Sequence, residues 1–111
     1  MVKVQITRNK EKSITEFKLT GHARFAKSGD DIVCSAASAV AQTALQGLKM
    51  VANIDIKYKI KDGYLDCSLP KELTEKQLLM STAILETMFI GLKNIEQSYK
   101  KHIYVRENEE V

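Results

Sequence analysis

Hydrophobic and polar residues alternate along five short segments of the chain, which is the period of half-buried β-strands. The segments are residues 2–7, 14–20, 54–61, 64–69 and 103–105. The first two and the middle two are close enough in sequence to form hairpins. The positions predicted to face a core in the first four strands are Val2, Val4, Ile6, Thr15, Phe17, Leu19, Ile54, Ile56, Tyr58, Ile60, Leu65, Cys67 and Leu69.

Two other segments have the three-to-four residue spacing of amphipathic helices. The first covers residues 36–52, with small apolar side chains early and larger ones later. The second opens with Thr74 and Gln77, a capping box in which each side chain accepts a hydrogen bond from the other residue's backbone N–H. Its apolar face then extends from Leu78 to Ile95.

The predicted element order is β-β-α-β-β-α-β. Strands with one apolar face and helices with one apolar stripe predict an α+β two-layer sandwich, with a mainly antiparallel sheet and both helices on one face. We expect a single domain over residues 1–111, because a chain of this length supports one hydrophobic core. The other face of the sheet then carries Lys3, Gln5, Lys57, Lys59 and Lys61.

Composition narrows the classes of function. The chain is 44% hydrophobic and 28% charged, which is typical of a soluble globular protein. Its apolar runs are short and its first residues alternate, so we expect neither a membrane span nor export, and hence a cytoplasmic protein. Two cysteines and two histidines without metal-ligand spacing predict no metal site, and we expect no cofactor.

The connection between the second strand and the first helix, residues 21–33, is long for so small a domain. It begins with Gly21 and His22 and leads to Cys34, which the pattern places at the start of the helix. Helix-start N–H groups favour negative charge, so we expect the pKa of the Cys34 thiol to be lowered. If His22 folds back over Cys34, its imidazole can accept the thiol proton and later protonate a leaving group.

Each of these residues also has a purely structural interpretation. A cysteine at the start of an Ala-rich helix is often a small buried hydrophobe, and a loop histidine often bonds only to backbone. Asp30 and Asp31 suit a helix cap. Ser38, one turn after Cys34, either bonds back to a carbonyl or supports a site. Cys67 falls on the apolar face of a strand and is predicted to lie in the core.

Two short stretches bracket this connection: Gly21-His22-Ala23 and, after a spacer, Asp31-Ile32-Val33-Cys34-Ser35-Ala36-Ala37-Ser38. At this separation they resemble the signature of the ribosomal-processing cysteine protease family, called Prp. The resemblance covers nearly the whole chain in length and element order. Ser35 is a departure, since the family more often has Ala or Gly there, and its hydroxyl would alter substrate fit rather than the catalytic pair.

The resemblance implies a role for five residues. Cys34 matches the family's nucleophile and His22 its general base. Gly21, Asp31 and Ser38 match positions that shape the site, with Asp31 the best candidate to orient His22. The family removes a short N-terminal extension from ribosomal large-subunit protein twenty-seven, so that precursor is the implied partner, and the resemblance favours a homodimer. In our hypothesis, amides at the start of the first helix stabilise the oxyanion.

A second hypothesis comes from a different class of function, a non-catalytic module that binds ribosomal RNA or a ribosomal protein. Its support is the row Lys57, Lys59 and Lys61 on the outer face of the sheet. Against it, the pattern shows no exposed aromatic side chains there to stack on bases, and lysines on an exposed strand commonly protect a sheet edge. A net charge of +3 is also small, so we expect no direct nucleic-acid binding.

Overall fold

Five strands and two α-helices follow one another in the order that the sequence predicts. The structure, a computed structural model, describes residues 1–21 and 28–110, and for residues 28–31 it describes the backbone alone. Its elements are β1 (Val2–Arg8), β2 (Ile14–Thr20), α1 (Ser28–Gln46), a π-helical turn (Gly47–Val51), β3 (Lys57–Lys61), β4 (Tyr64–Ser68), α2 (Glu75–Ser98) and β5 (Ile103–Glu109).

The strands form one mixed sheet in the order β3-β4-β2-β1-β5. Neighbouring strands are antiparallel except for β1 and β5, which are parallel. Val4 pairs with Leu19, and Leu19 pairs with Leu65, so buried side chains line up across the sheet on one face. Both helices pack on that face. The predicted α+β sandwich with a mainly antiparallel sheet is therefore confirmed.

One predicted inward position in β2 is wrong. Thr15 is only half-buried, and Ile14 occupies the core instead. The register between β1 and β2 shifts between Thr7 and Arg8. Because such an irregularity inserts a residue into the alternation, Ile14 and Phe17 both face the helices.

β3 is shorter than predicted and lies at an edge of the sheet. Ile54 and Ile56 are buried, but they precede the strand, which begins at Lys57. Tyr58 and Ile60 face the helix layer and yet remain 45% exposed. The helices therefore leave the inner surface of this edge open.

α2 begins with the predicted capping box, in which Thr74 and Gln77 exchange hydrogen bonds. Its 24 residues, with a mean hydropathy of 1.3 over an 18-residue window, are long and apolar enough to cross a membrane by length and composition alone. In the fold, one side of α2 packs into the core through Leu85, Met88 and Leu92. That pattern is typical of an amphipathic core helix.

Glu96 ties the last turns of α2 to the edge strand β5. Its carboxylate accepts a hydrogen bond from the backbone N–H of Val105 at 2.7 Å and forms an ion pair with Lys93 at 2.7 Å. Although partial burial acts to raise it, these hydrogen bonds hold the pKa of Glu96 below its ordinary value. The outward-facing N–H of Val105 therefore has a charged partner at neutral pH.

Candidate active site

Cys34 lies on α1 beside a cavity at one end of the sheet. Ser38 and Gln42 follow it at intervals of four residues, so all three side chains share one face of the helix. The opposite wall is the β3–β4 hairpin. The cavity has a volume of about 210 Å³. Its lining consists of Val2, Leu19, Gly21, Cys34, Ser38, Gln42, Ile60, Lys61, Asp62, Gly63, Tyr64 and Leu65.

Gly21 fixes where the chain leaves β2 next to this cavity. Its φ is +97°, in the left-handed region that side-chain-bearing residues rarely adopt. A Cβ at this position would overlap the carbonyl oxygen of Met1. The N–H of Gly21 donates to the carbonyl of Gly63 at 3.0 Å, which attaches this point to the hairpin turn. Gly21 therefore sets the origin of the segment that carries His22.

The predicted position of Cys34 at the start of the helix is wrong. α1 begins at Ser28, so Cys34 is its seventh residue and lies about 9 Å along the axis from the first. The effect of the helix dipole fades within the first turn, so the helix-start argument does not apply to this thiol. The helix-start amides are equally too far away to stabilise an oxyanion on a substrate attached to Cys34. Asp31 is the fourth residue of α1 and is therefore not its N-cap.

Two of the five predicted site residues fall wholly or partly outside the described residues. His22 lies in the undescribed range 22–27, and only the backbone of Asp31 is described. The described part of the chain brings Gly21, Cys34 and Ser38 together around one cavity. The predicted pairing of His22 with Cys34, and the orienting role of Asp31, stay predictions.

Ser38 lines the cavity, and its hydroxyl has no hydrogen-bond partner among the described residues. By contrast, Thr43 and Thr87 donate to the carbonyls of Ala39 and Ala83, one turn earlier in their helices. Of the two interpretations of Ser38, the geometry therefore favours support of the site over a bond back to the helix.

Cys67 has the structural role that its pattern predicts. It is 1% exposed and lies in β4, where Phe17 and Tyr58 flank it on the neighbouring strands. Burial, together with the nearby carboxylates of Asp66 and Glu16, raises the pKa of the Cys67 thiol to about 12. Cys67 is therefore a neutral core side chain at physiological pH.

We expect an alkylating reagent such as iodoacetamide to modify the native protein once, at Cys34. Cys34 is partly exposed, whereas Cys67 is buried and, with its pKa near 12, has about one thiolate in 10⁴ molecules at pH 8. Peptide mapping after timed labelling measures both rates. Cys34→Ser should leave the native protein unlabelled, and both sulfurs should react in denaturant. Equal labelling of the two cysteines in the native protein would contradict this assignment.

The hairpin side of the cavity is the part of the site that sequence analysis misses. Ile60, Gly63 and Leu65 belong to predicted strands and turns, but their proximity to Cys34 depends on strand order, which no local pattern encodes. For Gln42 the sequence does contain an indication, because the residue lies two helical turns beyond Cys34 on the same helix face.

Comparison with known proteins identifies the family. The model of the family described as cysteine protease Prp matches residues 1–104. The chain belongs to the Prp family. Curated relatives named ribosomal processing cysteine protease Prp include one from Bacillus subtilis, 31% identical over 97% of this chain and 98% of its own length. Another, from Staphylococcus aureus, is 36% identical over 93% of this chain and 95% of its own length.

Solved Prp structures share the fold. One, of an essential ribosomal processing protease Prp from S. aureus in complex with a substrate peptide, superposes with a TM-score of 0.85. It is 26% identical, and the match covers 97% of this chain and all of the other. A second S. aureus Prp structure, with a covalently linked product peptide, has a TM-score of 0.81, 27% identity and the same coverage.

Membership of the Prp family makes the chain a cysteine protease. The prediction of an enzyme is confirmed over that of a non-catalytic module. Among the side chains of residues 1–21 and 32–110, no group of three His, Cys, Asp or Glu residues is placed to hold a metal ion.

Proposed function

We propose that this Prp-family protease removes the N-terminal extension of ribosomal large-subunit protein twenty-seven, with Cys34 as nucleophile and His22 as general base. The observation that carries the proposal is a partly exposed Cys34 on the wall of an open cavity, while the other cysteine is buried. The names of the relatives, which describe ribosomal processing, support a ribosomal substrate.

The proposed reaction is acyl transfer. The Cys34 sulfur attacks the scissile carbonyl carbon while His22 takes the thiol proton. The C–N bond then breaks, His22 returns that proton to the leaving amine, and a thioester to Cys34 remains. Water hydrolyses the thioester and regenerates the thiol. A covalently linked product peptide in a related S. aureus Prp supports a mechanism with such an intermediate.

Helix-start amides are excluded from this mechanism by position, so activation of the thiol depends on His22 in the proposal. Ser38, one turn from Cys34, lines the cavity, and its hydroxyl can donate a hydrogen bond there. We assign it to the substrate carbonyl oxygen or to the backbone beside it, where a donor stabilises developing negative charge.

The cavity chemistry suits an apolar substrate side chain. Leu19, Ile60 and Leu65 form much of its lining. Its volume of about 210 Å³ is below the range for drug-sized ligands, and suits one or two side chains of a peptide. This agrees with an extension that ends in aromatic residues, which the family resemblance implies.

The test is mass spectrometry of the organism's own extended ribosomal protein after incubation with this chain. We expect one new N-terminus, located where the extension ends, and no cut in a substrate that lacks the extension. Cys34→Ala serves as the inactive control. Cleavage at many unrelated sites would contradict the proposed substrate, and undiminished cleavage by Cys34→Ala would contradict the proposed nucleophile.

We further propose that the protein is a cytoplasmic homodimer. Both cysteines are unpaired in the structure, as is usual for intracellular proteins. The helix layer exposes large apolar side chains on α2, with Leu79 72% and Ile90 60% exposed, beside an apolar groove between α1 and α2. A second copy would bury this surface. Sedimentation equilibrium at micromolar concentration tests the dimer, and a monomer would contradict it.

A further inference from the structure

The face of the sheet that points away from the helices presents three rows of side chains, defined here as the outer sheet face. Strand register sets each row across β5, β1, β2, β4 and β3 in turn. The first row is Tyr104, Lys3, Thr20, Tyr64 and Lys61. The second is Arg106, Gln5, Lys18, Asp66 and Lys59, and the third is Asn108, Thr7, Glu16, Ser68 and Lys57.

This face carries the positive charge of the molecule. Of the chain's 17 Lys and Arg and 14 Asp and Glu residues, six cationic and two acidic ones lie on it, which leaves eleven and twelve elsewhere. The rest of the chain is thus nearly neutral, and the small overall charge of +3 conceals a strongly basic surface. Such an asymmetric distribution is the electrostatic footprint of a polyanion-binding surface.

The expectation that this face has no exposed aromatic side chains is wrong, because two tyrosines lie in its first row. Tyr104 is 44% exposed and Tyr64 is half-buried. They lie three strand spacings apart, or about 14 Å. A cation accompanies each ring: the guanidinium of Arg106 lies 5.1 Å from the Tyr104 ring, and the ammonium of Lys18 lies 5.7 Å from the Tyr64 ring.

We propose that the outer sheet face binds single-stranded RNA. Cationic side chains meet the phosphates, and the tyrosine rings stack on bases, which is how open sheet surfaces recognise unpaired nucleotides. An acidic protein segment would complement the positive charge, but it has no bases to stack on the tyrosine rings. A membrane surface would require protruding aliphatic side chains, and the three rows contain none.

RNA on this face would lie close to the catalytic cavity. Lys61 and Tyr64 belong both to the first row and to the cavity lining. A protease held on RNA in this way would present its active site to proteins that assemble on the same RNA. The inference goes beyond the proposed cleavage activity, and RNA binding is measured without it.

The test is fluorescence anisotropy of a labelled oligouridylate with the full chain. We expect binding that weakens as salt rises, with a slope of log K against log salt near −3 if about four phosphates are contacted. Tyr104→Ala should weaken binding about tenfold through lost stacking, while Tyr104→Phe restores it. Lys59→Glu, at an exposed position, should weaken binding at least about fivefold.

Lys76→Glu is the matched charge control, because Lys76 is exposed on α2, in the opposite layer. It should leave RNA affinity within about twofold of wild type, a change below that of a single phosphate contact. Cleavage of a peptide substrate should be unchanged in Tyr104→Ala and Lys59→Glu, which also shows that both variants fold. The proposal is overturned if wild type does not bind, if Lys76→Glu weakens binding as much as Lys59→Glu, if Tyr104→Ala has no effect, or if polyglutamate competes as well as RNA.

Discussion

Replacing Cys34 with alanine is expected to lower kcat/KM for the extended ribosomal protein by at least about 10⁴-fold, because removing the nucleophile of a covalent mechanism eliminates the main route. The free energy of unfolding should change by less than about 1 kcal/mol, since the side chain is only partly buried on the cavity wall. Cleavage kinetics and urea denaturation of the same preparation measure the two quantities.

Cys67→Ala is the matched control with the opposite expectation. Cys67 is buried in β4, so its truncation should destabilise the protein by about 1–2 kcal/mol through lost packing. Peptide cleavage by the folded fraction should remain near the wild-type level, because Cys67 does not line the cavity. An inactive but stable Cys67→Ala, or an active Cys34→Ala, would reverse the assigned roles.

Gly21→Ala is expected to destabilise the fold by about 3 kcal/mol or more and to reduce cleavage in the remaining folded protein. The positive φ of Gly21 costs an alanine about 1–2 kcal/mol. The added Cβ would also overlap the carbonyl oxygen of Met1, which is backbone and yields only if a strand end moves. Because His22 is the next residue, that movement displaces the proposed base. Urea denaturation and kcat/KM measure the two effects.

Gly63→Ala separates the two causes. Gly63 also has a positive φ, +74°, in the turn between β3 and β4. Its substitution should cost the backbone strain of that conformation, about 1 kcal/mol. Equal destabilisation by Gly21→Ala and Gly63→Ala would show that the contact with Met1 has no energetic consequence.

Local patterns in the sequence predict most of the fold. The alternation of Val2, Val4 and Ile6 locates β1, and the capping box at Thr74 locates the start of α2 to the residue. Thr15 is wrongly predicted to face the core, because a register shift between β1 and β2 interrupts the alternation of inward and outward side chains there. The start of α1 at Ser28 is not predicted, because residues 28–33 lack the small apolar side chains at three-to-four residue spacing that mark the helix after Cys34.

The site is predicted less completely, for a different physical reason. Cys34 and Ser38 are linked by helical spacing, which sequence displays. The hairpin that carries Ile60 and Leu65 reaches the cavity only because β4 pairs with β2, which is distant in sequence. The two tyrosines of the outer sheet face likewise share one row only through pairing between distant strands. Tyr104 in particular belongs to that face because β5, the last strand in the chain, pairs with β1, the first.

The two borders of the sheet differ in how they discourage a further strand from joining. β3 presents lysines at alternate positions, and repulsion between them opposes stacking of one copy's edge on another's. On β5, an incoming strand would first have to displace the Glu96 carboxylate from the Val105 N–H, which exchanges a charged hydrogen bond for a neutral one. As acidity neutralises Glu96, that barrier disappears, so fibrillar aggregation of this protein should begin from the β5 border in acid.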